Sequence, residues 1–160
     1  MAEDLTIITG TKEEQYLELI PQIAAIIEGE PDLISNLANI TAALKQQFGW
    51  LWTGFYLVKG DELVLGPFQG PVACTRIKKG KGVCGTAWEQ KRTLIVDDVE
   101  TFPGHIACSS LSKSEIVLPL IRNDKVIGVL DIDHTSYAAF DKTDELFLTE
   151  ITDLIRLSNN

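Results

Sequence analysis

The stretch EIVLPLIRNDKVIGVLDIDH, residues 115–134, constrains the fold more strongly than any other part of the sequence. Two apolar runs flank the dipeptide Asn123-Asp124, which is the pattern of two antiparallel strands joined by a tight turn. The hairpin therefore predicts an antiparallel sheet, which the remaining segments must extend or cover.

The rest of the chain alternates helical and strand patterns around this hairpin. Apolar residues spaced three or four apart predict helices, and short apolar runs between turn residues predict strands. The predicted order is a helix at Thr11–Glu28, a helix at Asp32–Phe48, two strands turned at Gly60-Asp61, a strand in ACTRIK, a short helix at Val83–Gln90, the strand TLIVDD, a long loop at Val99–Ser114, the hairpin, and a helix at Lys142–Leu157 capped by Asp141. We expect an α+β fold in which helices cover both faces of a central antiparallel sheet, with residues 1–160 forming one domain.

The charge balance disfavours two classes of partner. The formal net charge is −9, whereas sequence-independent binding to nucleic acid or to an anionic membrane needs an excess of Lys and Arg. No apolar run approaches the length of a membrane span, and MAEDLTIITG lacks the basic start and apolar core of a signal peptide. We therefore expect no nucleic acid, no membrane, and a cytoplasmic location.

The stretch KGKGVCGTAW is open to two interpretations, and the first is a phosphate-binding loop. Gly80, Gly82 and Gly85 have the G-x-G-x-x-G spacing of dinucleotide sites. Such sites require a buried parallel strand before the glycines and a long helix after them. Here the preceding segment is polar and the predicted helix is short, so nucleotide binding is disfavoured.

The second interpretation concerns Cys84, which lies inside the same stretch. It is predicted to lie at the start of a helix, where unpaired N–H groups favour an anion, and Lys79 and Lys81 add positive charge nearby. Both effects lower the pKa of a thiol. On these grounds Cys84 is the most activated of the three cysteines.

Cys74 and Cys108 complete the set of thiols. An odd number of cysteines in a chain expected to be cytoplasmic argues against a structural disulfide framework. If the three thiols converge, their chemistry is redox: attack, sulfenic acid and resolution to a disulfide. His105, beside Cys108 in the long loop, also permits a cysteine hydrolase, although no orienting residue is evident.

The hairpin supplies a group of acidic residues. Glu115 begins its first strand, and Asp131 and Asp133, two apart in the second, point to the same side. Such carboxylates either bind an ammonium group, form a general acid by raising one another's pKa, or form a solvated strand end. Trp52 and Tyr56 either add an aromatic wall for an apolar ligand group or pack in the core.

Together these segments resemble a known family. The stretches GWLWTGFYL, GPFQGPVACTRIKKGKGVCGTAW, VDDVETFPGHIACSS and SEIVLPLI followed by GVLDIDH are similar to the free methionine-(R)-sulfoxide reductases. These are stand-alone GAF-domain enzymes that act on the free amino acid. The resemblance runs from Thr11 to Leu157 and implies a GAF-like fold and a homodimer.

The resemblance also implies a role for each site residue. Cys108 would attack the sulfoxide sulfur, and a carboxyl group from Glu115, Asp131 or Asp133 would protonate the departing oxygen. Cys74 would resolve the resulting sulfenic acid as a disulfide. Thioredoxin, recharged by NADPH through thioredoxin reductase, would reduce that disulfide without any bound cofactor or metal.

Two questions stay open at this stage. Helix-terminus electrostatics favour Cys84 as the nucleophile, whereas the resemblance favours Cys108 and makes Cys84 auxiliary. The alternative function is a GAF module that binds a small ligand and signals without catalysis, although such a sensor has no need of three cysteines.

Overall fold

The computed structural model describes residues 4–106 and 108–158, so the ends of the predicted domain and position 107 of the predicted loop lie outside it. Six strands form one sheet in the order β3-β2-β1-β6-β5-β4, and every neighbouring pair is antiparallel. The elements are α1 (Lys12–Ile27), α2 (Leu33–Phe48), β1 (Trp52–Lys59), β2 (Glu62–Gln69), β3 (Arg76–Lys78), α3 (Gly82–Gln90), β4 (Leu94–Val96), a 3₁₀ turn (Val99–Thr101), β5 (Ser114–Arg122), β6 (Lys125–His134) and α4 (Lys142–Ser158). The α+β prediction is confirmed.

The β5–β6 hairpin lies in the interior of the sheet. Asn123 and Asp124 have φ angles of +50° and +63°, the left-handed conformation that a two-residue hairpin turn requires at both positions. The turn fixes the register, and at the other end of the hairpin Glu115 lies directly opposite Asp133. The sequence prediction of the hairpin is confirmed.

Helices cover both faces of the sheet, as predicted. The larger apolar cluster joins α1, α2 and α4 to one face, with Phe55, Ile116 and Leu130 from the strands. The smaller cluster lies on the other face, where Val83, Ala87 and other residues of α3 pack on the sheet. In the described part of the chain, no helix is long and apolar enough to cross a membrane.

Two strands are shorter than predicted. The strand expected in ACTRIK is only Arg76–Lys78, and the strand expected in TLIVDD is only Leu94–Val96. Cys74 lies before β3 because its carbonyl accepts a hydrogen bond from the Tyr56 hydroxyl at 2.8 Å, which replaces strand pairing at this point. The consequence is that Cys74 lies on a connecting segment at the edge of the smaller cluster.

A partly buried ion pair joins α1 to α4. The carboxylate of Asp144, a residue only 2% exposed, accepts hydrogen bonds from the Tyr16 hydroxyl at 2.7 Å and from Lys12 Nζ at 2.6 Å. It also accepts one from the backbone N–H of Asp141, the residue that caps α4 through its own side chain. Through these hydrogen bonds the Asp144 carboxylate connects the first helix to the last.

We expect Asp144→Ala to lower the free energy of unfolding by about 1–3 kcal/mol, because it leaves the buried Tyr16 hydroxyl without its acceptor, whereas Lys12 keeps Asp141 and the carbonyl of Ala139. The matched control is Lys142→Ala, which removes an exposed pair with Glu145 on the same helix and should cost less than about 0.5 kcal/mol. Urea denaturation followed by circular dichroism measures both. Equal losses in the two variants would contradict this account.

Candidate active site

A cavity of about 50 Å³ lies between the sheet, α3 and the loop that follows the 3₁₀ turn. Seven of the eight site residues predicted from sequence line it: Trp52, Tyr56, Cys84, Cys108, Glu115, Asp131 and Asp133. The eighth, Cys74, reaches the cavity through a disulfide with Cys108. The fold therefore brings together residues that are up to 81 positions apart in the chain, from Trp52 to Asp133.

Three carboxyl groups form the polar end of this cavity. Asp131 and Asp133 project from the same face of β6, and Glu115 projects beside them from β5. Glu115 and Asp131 are each only 6% exposed. One oxygen of Asp131, Oδ1, is buried without a hydrogen-bond partner among the described residues. An unpartnered carboxylate oxygen facing a cavity indicates that a ligand completes the site.

Burial changes the ionisation of all three carboxyl groups. It raises the pKa of Glu115 well above its ordinary value, and the negative charge of Asp131 raises it further. Burial also raises the pKa values of Asp131 and Asp133, although the Ser112 hydroxyl, 2.6 Å from Asp133, partly offsets the effect at Asp133. The cluster therefore holds a proton more readily than exposed carboxyl groups do.

The disulfide between Cys74 and Cys108 closes one side of the cavity. Its Cα atoms are 6.0 Å apart, within the usual range for a disulfide. Cys108 lies on the exposed loop after the 3₁₀ turn, and Cys74 lies half-buried before β3. This is the pair that the resemblance implied, and it leaves Cys84 as the one free thiol of the three.

Cys84 is not the activated thiol that its position in the sequence suggested. It does lie in the first turn of α3, but it is only 4% exposed. Burial raises the pKa of the Cys84 thiol, and the negative charges of Asp131 and Glu115 raise it further. The prediction of a thiolate here is wrong, because desolvation and two neighbouring carboxyl groups outweigh the helix terminus.

The two lysines do not offset this effect. Lys79 Nζ lies over the ring of Trp88, 5.2 Å from its centroid, and Lys81 is exposed to solvent. Charges held in water are screened from a buried thiol. Cys84 is therefore a neutral thiol in the resting site.

Trp52 and Tyr56 form one wall of the cavity, and they also hold the segment that carries Cys74. The indole N–H of Trp52 donates to the carbonyl of Pro71 at 3.1 Å, and the Tyr56 hydroxyl donates to the carbonyl of Cys74 at 2.8 Å. Their rings stack with centroids 5.9 Å apart. Both alternatives raised by the sequence therefore apply in part, because the two rings line the cavity and also pack in the smaller apolar cluster.

Sequence reasoning missed two contributors to this site. Ser112 binds Asp133 from a loop, where nothing in the sequence distinguishes it from other serines. Gly54 lies opposite Asp131 on β1, and a Cβ there would come within 2.6 Å of the Trp52 ring. A glycine inside a strand between two aromatic residues is a signal of such a close approach.

The glycines of KGKGVCGTAW are needed for the conformation and close packing of the backbone. Gly80 and Gly82 have φ angles of +78° and +59°, and a Cβ on Gly85 would lie 2.4 Å from the carbonyl oxygen of Lys78. The preceding strand, β3, is an antiparallel edge strand, unlike the buried parallel strand of dinucleotide sites. The phosphate-loop interpretation is therefore excluded by the fold.

The hydrolase interpretation also lacks support from the geometry. His105 lines the cavity, and burial lowers the pKa of its imidazole. The carboxylate that acts on its ring is Asp131, whose charge only partly offsets this effect of burial. The nucleophile that this interpretation requires, the sulfur of Cys108, is instead bonded to Cys74.

Comparison with known proteins identifies the family. The family model for the GAF domain matches residues 32–158. Free methionine-R-sulfoxide reductase from Escherichia coli is 46% identical over 88% of this chain and 86% of its own, and GAF domain-containing protein A from Dictyostelium discoideum is 64% identical over 97% and 99%. The X-ray structure of free methionine-R-sulfoxide reductase from Neisseria meningitidis, in complex with its substrate, superposes with a TM-score of 0.95 at 51% identity, covering 98% of this chain and 95% of that one.

Proposed function

The chain belongs to the GAF-domain family and, within it, to the free methionine-R-sulfoxide reductases, and on that premise we propose that it reduces free L-methionine-(R)-S-oxide to methionine. One observation carries the proposal for this chain. The Cys74–Cys108 disulfide borders a cavity that is lined by aromatic rings at one side and by buried carboxyl groups at its polar end.

Residues of this cavity carry out each step of the proposed reaction. The Cys108 thiolate attacks the sulfoxide sulfur while a protonated carboxyl group gives its proton to the sulfoxide oxygen. This attack forms a bond between the Cys108 sulfur and the substrate sulfur; the hydroxyl group then moves to the Cys108 sulfur as the S–O bond and that S–S bond break, so that methionine leaves and Cys108 carries the oxygen as a sulfenic acid. The Cys74 thiol then displaces that oxygen as water, which forms the disulfide and completes a two-electron oxidation of the protein.

The electrostatics of the cavity support separate roles for its carboxyl groups. Glu115 is the proton donor, since its pKa is raised by burial and by the charge of Asp131. Asp131 and Asp133 bind the α-ammonium group of the amino acid. A methionine sulfoxide within a peptide lacks that cation and would leave the buried carboxylates unpaired, which explains a preference for the free amino acid.

The electron donor and the assembly belong to the same proposal. Thioredoxin, recharged by NADPH through thioredoxin reductase, reduces the Cys74–Cys108 disulfide, and the exposed loop that carries Cys108 supports access by a protein dithiol. A cytoplasmic location would keep these thiols reduced between turnovers. A homodimer is supported by large apolar side chains exposed on α1 and α2, namely Leu17, Ile26 and Ile34.

A single-turnover experiment tests the proposal without any donor. The fully reduced protein is mixed with excess free methionine-(R)-sulfoxide, and methionine and remaining thiols are counted. We expect about one methionine per chain and the loss of two thiols, with peptide mapping showing Cys74 joined to Cys108 and Cys84 still free. No methionine, or oxidation that includes Cys84, would contradict the assignment.

A further inference from the structure

We propose that Cys84, Glu115 and Asp131 form a binding site for a thiophilic divalent cation of the zinc class, which closes the polar end of the cavity to the amino-acid substrate. The binding itself is independent of the reductase activity, whereas the competition with substrate depends on the proposed function. The cation is an inhibitor in this account, and the reaction makes no use of it.

The geometry of the three side chains is already close to that of a metal site. The Cys84 sulfur and one carboxylate oxygen from each of Glu115 and Asp131 lie within 4.8 Å of one another. In tetrahedral zinc sites, bond lengths of about 2.0–2.3 Å put such atoms roughly 3.5 Å apart. If the three side chains move by about 1 Å, their ligand atoms reach that spacing. All three residues are buried.

The orphaned oxygen of Asp131 is a second, independent observation. Asp131 is only 6% exposed, and its Oδ1 has no hydrogen-bond partner among the residues that the structure describes. Cys84 and Glu115 lie beside Asp131 and can donate to its carboxylate while they are protonated, and a cation that displaces their protons would take that place and supply the partner that Oδ1 lacks. Asp133 is different from Asp131 in this respect, because its carboxylate already accepts a hydrogen bond from the Ser112 hydroxyl.

The donor set selects the class of cation. One thiolate and two carboxylates suit zinc and cadmium, whereas magnesium and calcium prefer oxygen ligands only. Binding of the cation releases the Cys84 proton. The bound cation then reduces the electrostatic repulsion between the buried carboxylates. Three protein ligands leave the fourth position to water from the cavity.

The disulfide form of the protein isolates this site for measurement. With Cys74 and Cys108 bonded to each other, Cys84 is the one cysteine sulfur left to bind a metal. Cadmium is the probe, because a thiolate bound to it gives an ultraviolet charge-transfer band. We expect the band to appear on titration and to saturate at about one equivalent.

Variants identify the ligands. Cys84→Ser should abolish the band, and Asp131→Asn should weaken cadmium binding by about 100-fold or more, since even changes outside the ligand set cost 10–100-fold. The control Asp153→Asn, an exposed carboxylate on α4, should bind cadmium as the unaltered protein does. No band in the unaltered protein, or a band that persists in Cys84→Ser, overturns the proposal whether or not either variant is fully stable.

Competition separates this proposal from the proposed function. Free methionine-(R)-sulfoxide should raise the apparent Kd for cadmium in the disulfide form, where Cys74 and Cys108 are bonded to each other and cannot bind the metal. A cadmium band in a protein that reduces no sulfoxide would leave the metal site standing and remove the reductase. An apparent Kd for cadmium that saturating free methionine-(R)-sulfoxide leaves unchanged would overturn the shared site.

Discussion

Replacing Cys108 by serine should lower kcat/KM for free methionine-(R)-sulfoxide by about 10³-fold or more, because the variant has no thiolate to attack the sulfoxide sulfur. Cys108 lies on an exposed loop that borders the cavity, so its sulfur can be both solvated as a thiolate and directed at a bound substrate. Stopped-flow measurement of methionine release from the reduced protein isolates this step from disulfide reduction.

The matched control is Cys84→Ser, the same change at the other cysteine that lines the cavity. It should retain partial activity, within about tenfold of the unaltered protein, because burial and the charges of Asp131 and Glu115 keep the Cys84 sulfur protonated. The opposite ranking of the two variants would show that the loop cysteine is not the nucleophile.

Glu115→Gln and Asp133→Asn should each lower kcat/KM by about 10²- to 10⁴-fold, the usual range for losing a proton donor or a charge that the bound state requires. The two losses should differ in kind. Glu115→Gln should act mainly on kcat, because an amide cannot protonate the sulfoxide oxygen. Asp133→Asn should act mainly on KM, because an amide leaves the substrate ammonium group poorly balanced.

The role of Glu115 as proton donor also predicts the direction in which activity changes with pH. The donor must be protonated in the resting enzyme, and burial raises the pKa of Glu115. Activity that depends on this proton is therefore present below the raised pKa and lost as the pH rises through it, and Glu115→Gln should lack that limb. The control Glu100→Gln alters an exposed glutamate and should keep both rate and profile. Unaltered efficiency in both cavity variants would contradict the carboxyl roles.

Features formed by residues that are close together in the sequence could be predicted from it, whereas features formed by distant residues could not. The β5–β6 hairpin was predictable because its turn residues and apolar runs are adjacent, and Asp131 and Asp133 share a face through strand geometry alone. The state of Cys84 was not predictable. The two carboxyl groups that raise its pKa lie 31 and 47 residues further on, at Glu115 and Asp131, and only the packing of α3 on the sheet brings them together.

The same limit applies to Cys74 and to the metal-binding cluster. Local propensity extended the strand of ACTRIK through Cys74, whereas a hydrogen bond from Tyr56, 18 residues earlier, takes its carbonyl out of the sheet. Cys84, Glu115 and Asp131 follow no metal-binding spacing in the sequence, so no motif indicates them. Their convergence is a property of the folded cavity.

The most direct test of the central claim is NADPH consumption with thioredoxin and thioredoxin reductase on three substrates: free methionine-(R)-sulfoxide, its S epimer, and the N-acetylated R form. We predict turnover on the free R epimer alone, because the related reductases are named for the R epimer and the buried carboxyl groups of the cavity require the α-ammonium group. Absence of turnover on all three, with the thiols of Cys74 and Cys108 intact at the start, would contradict the account and leave a GAF module that binds a small ligand without catalysis.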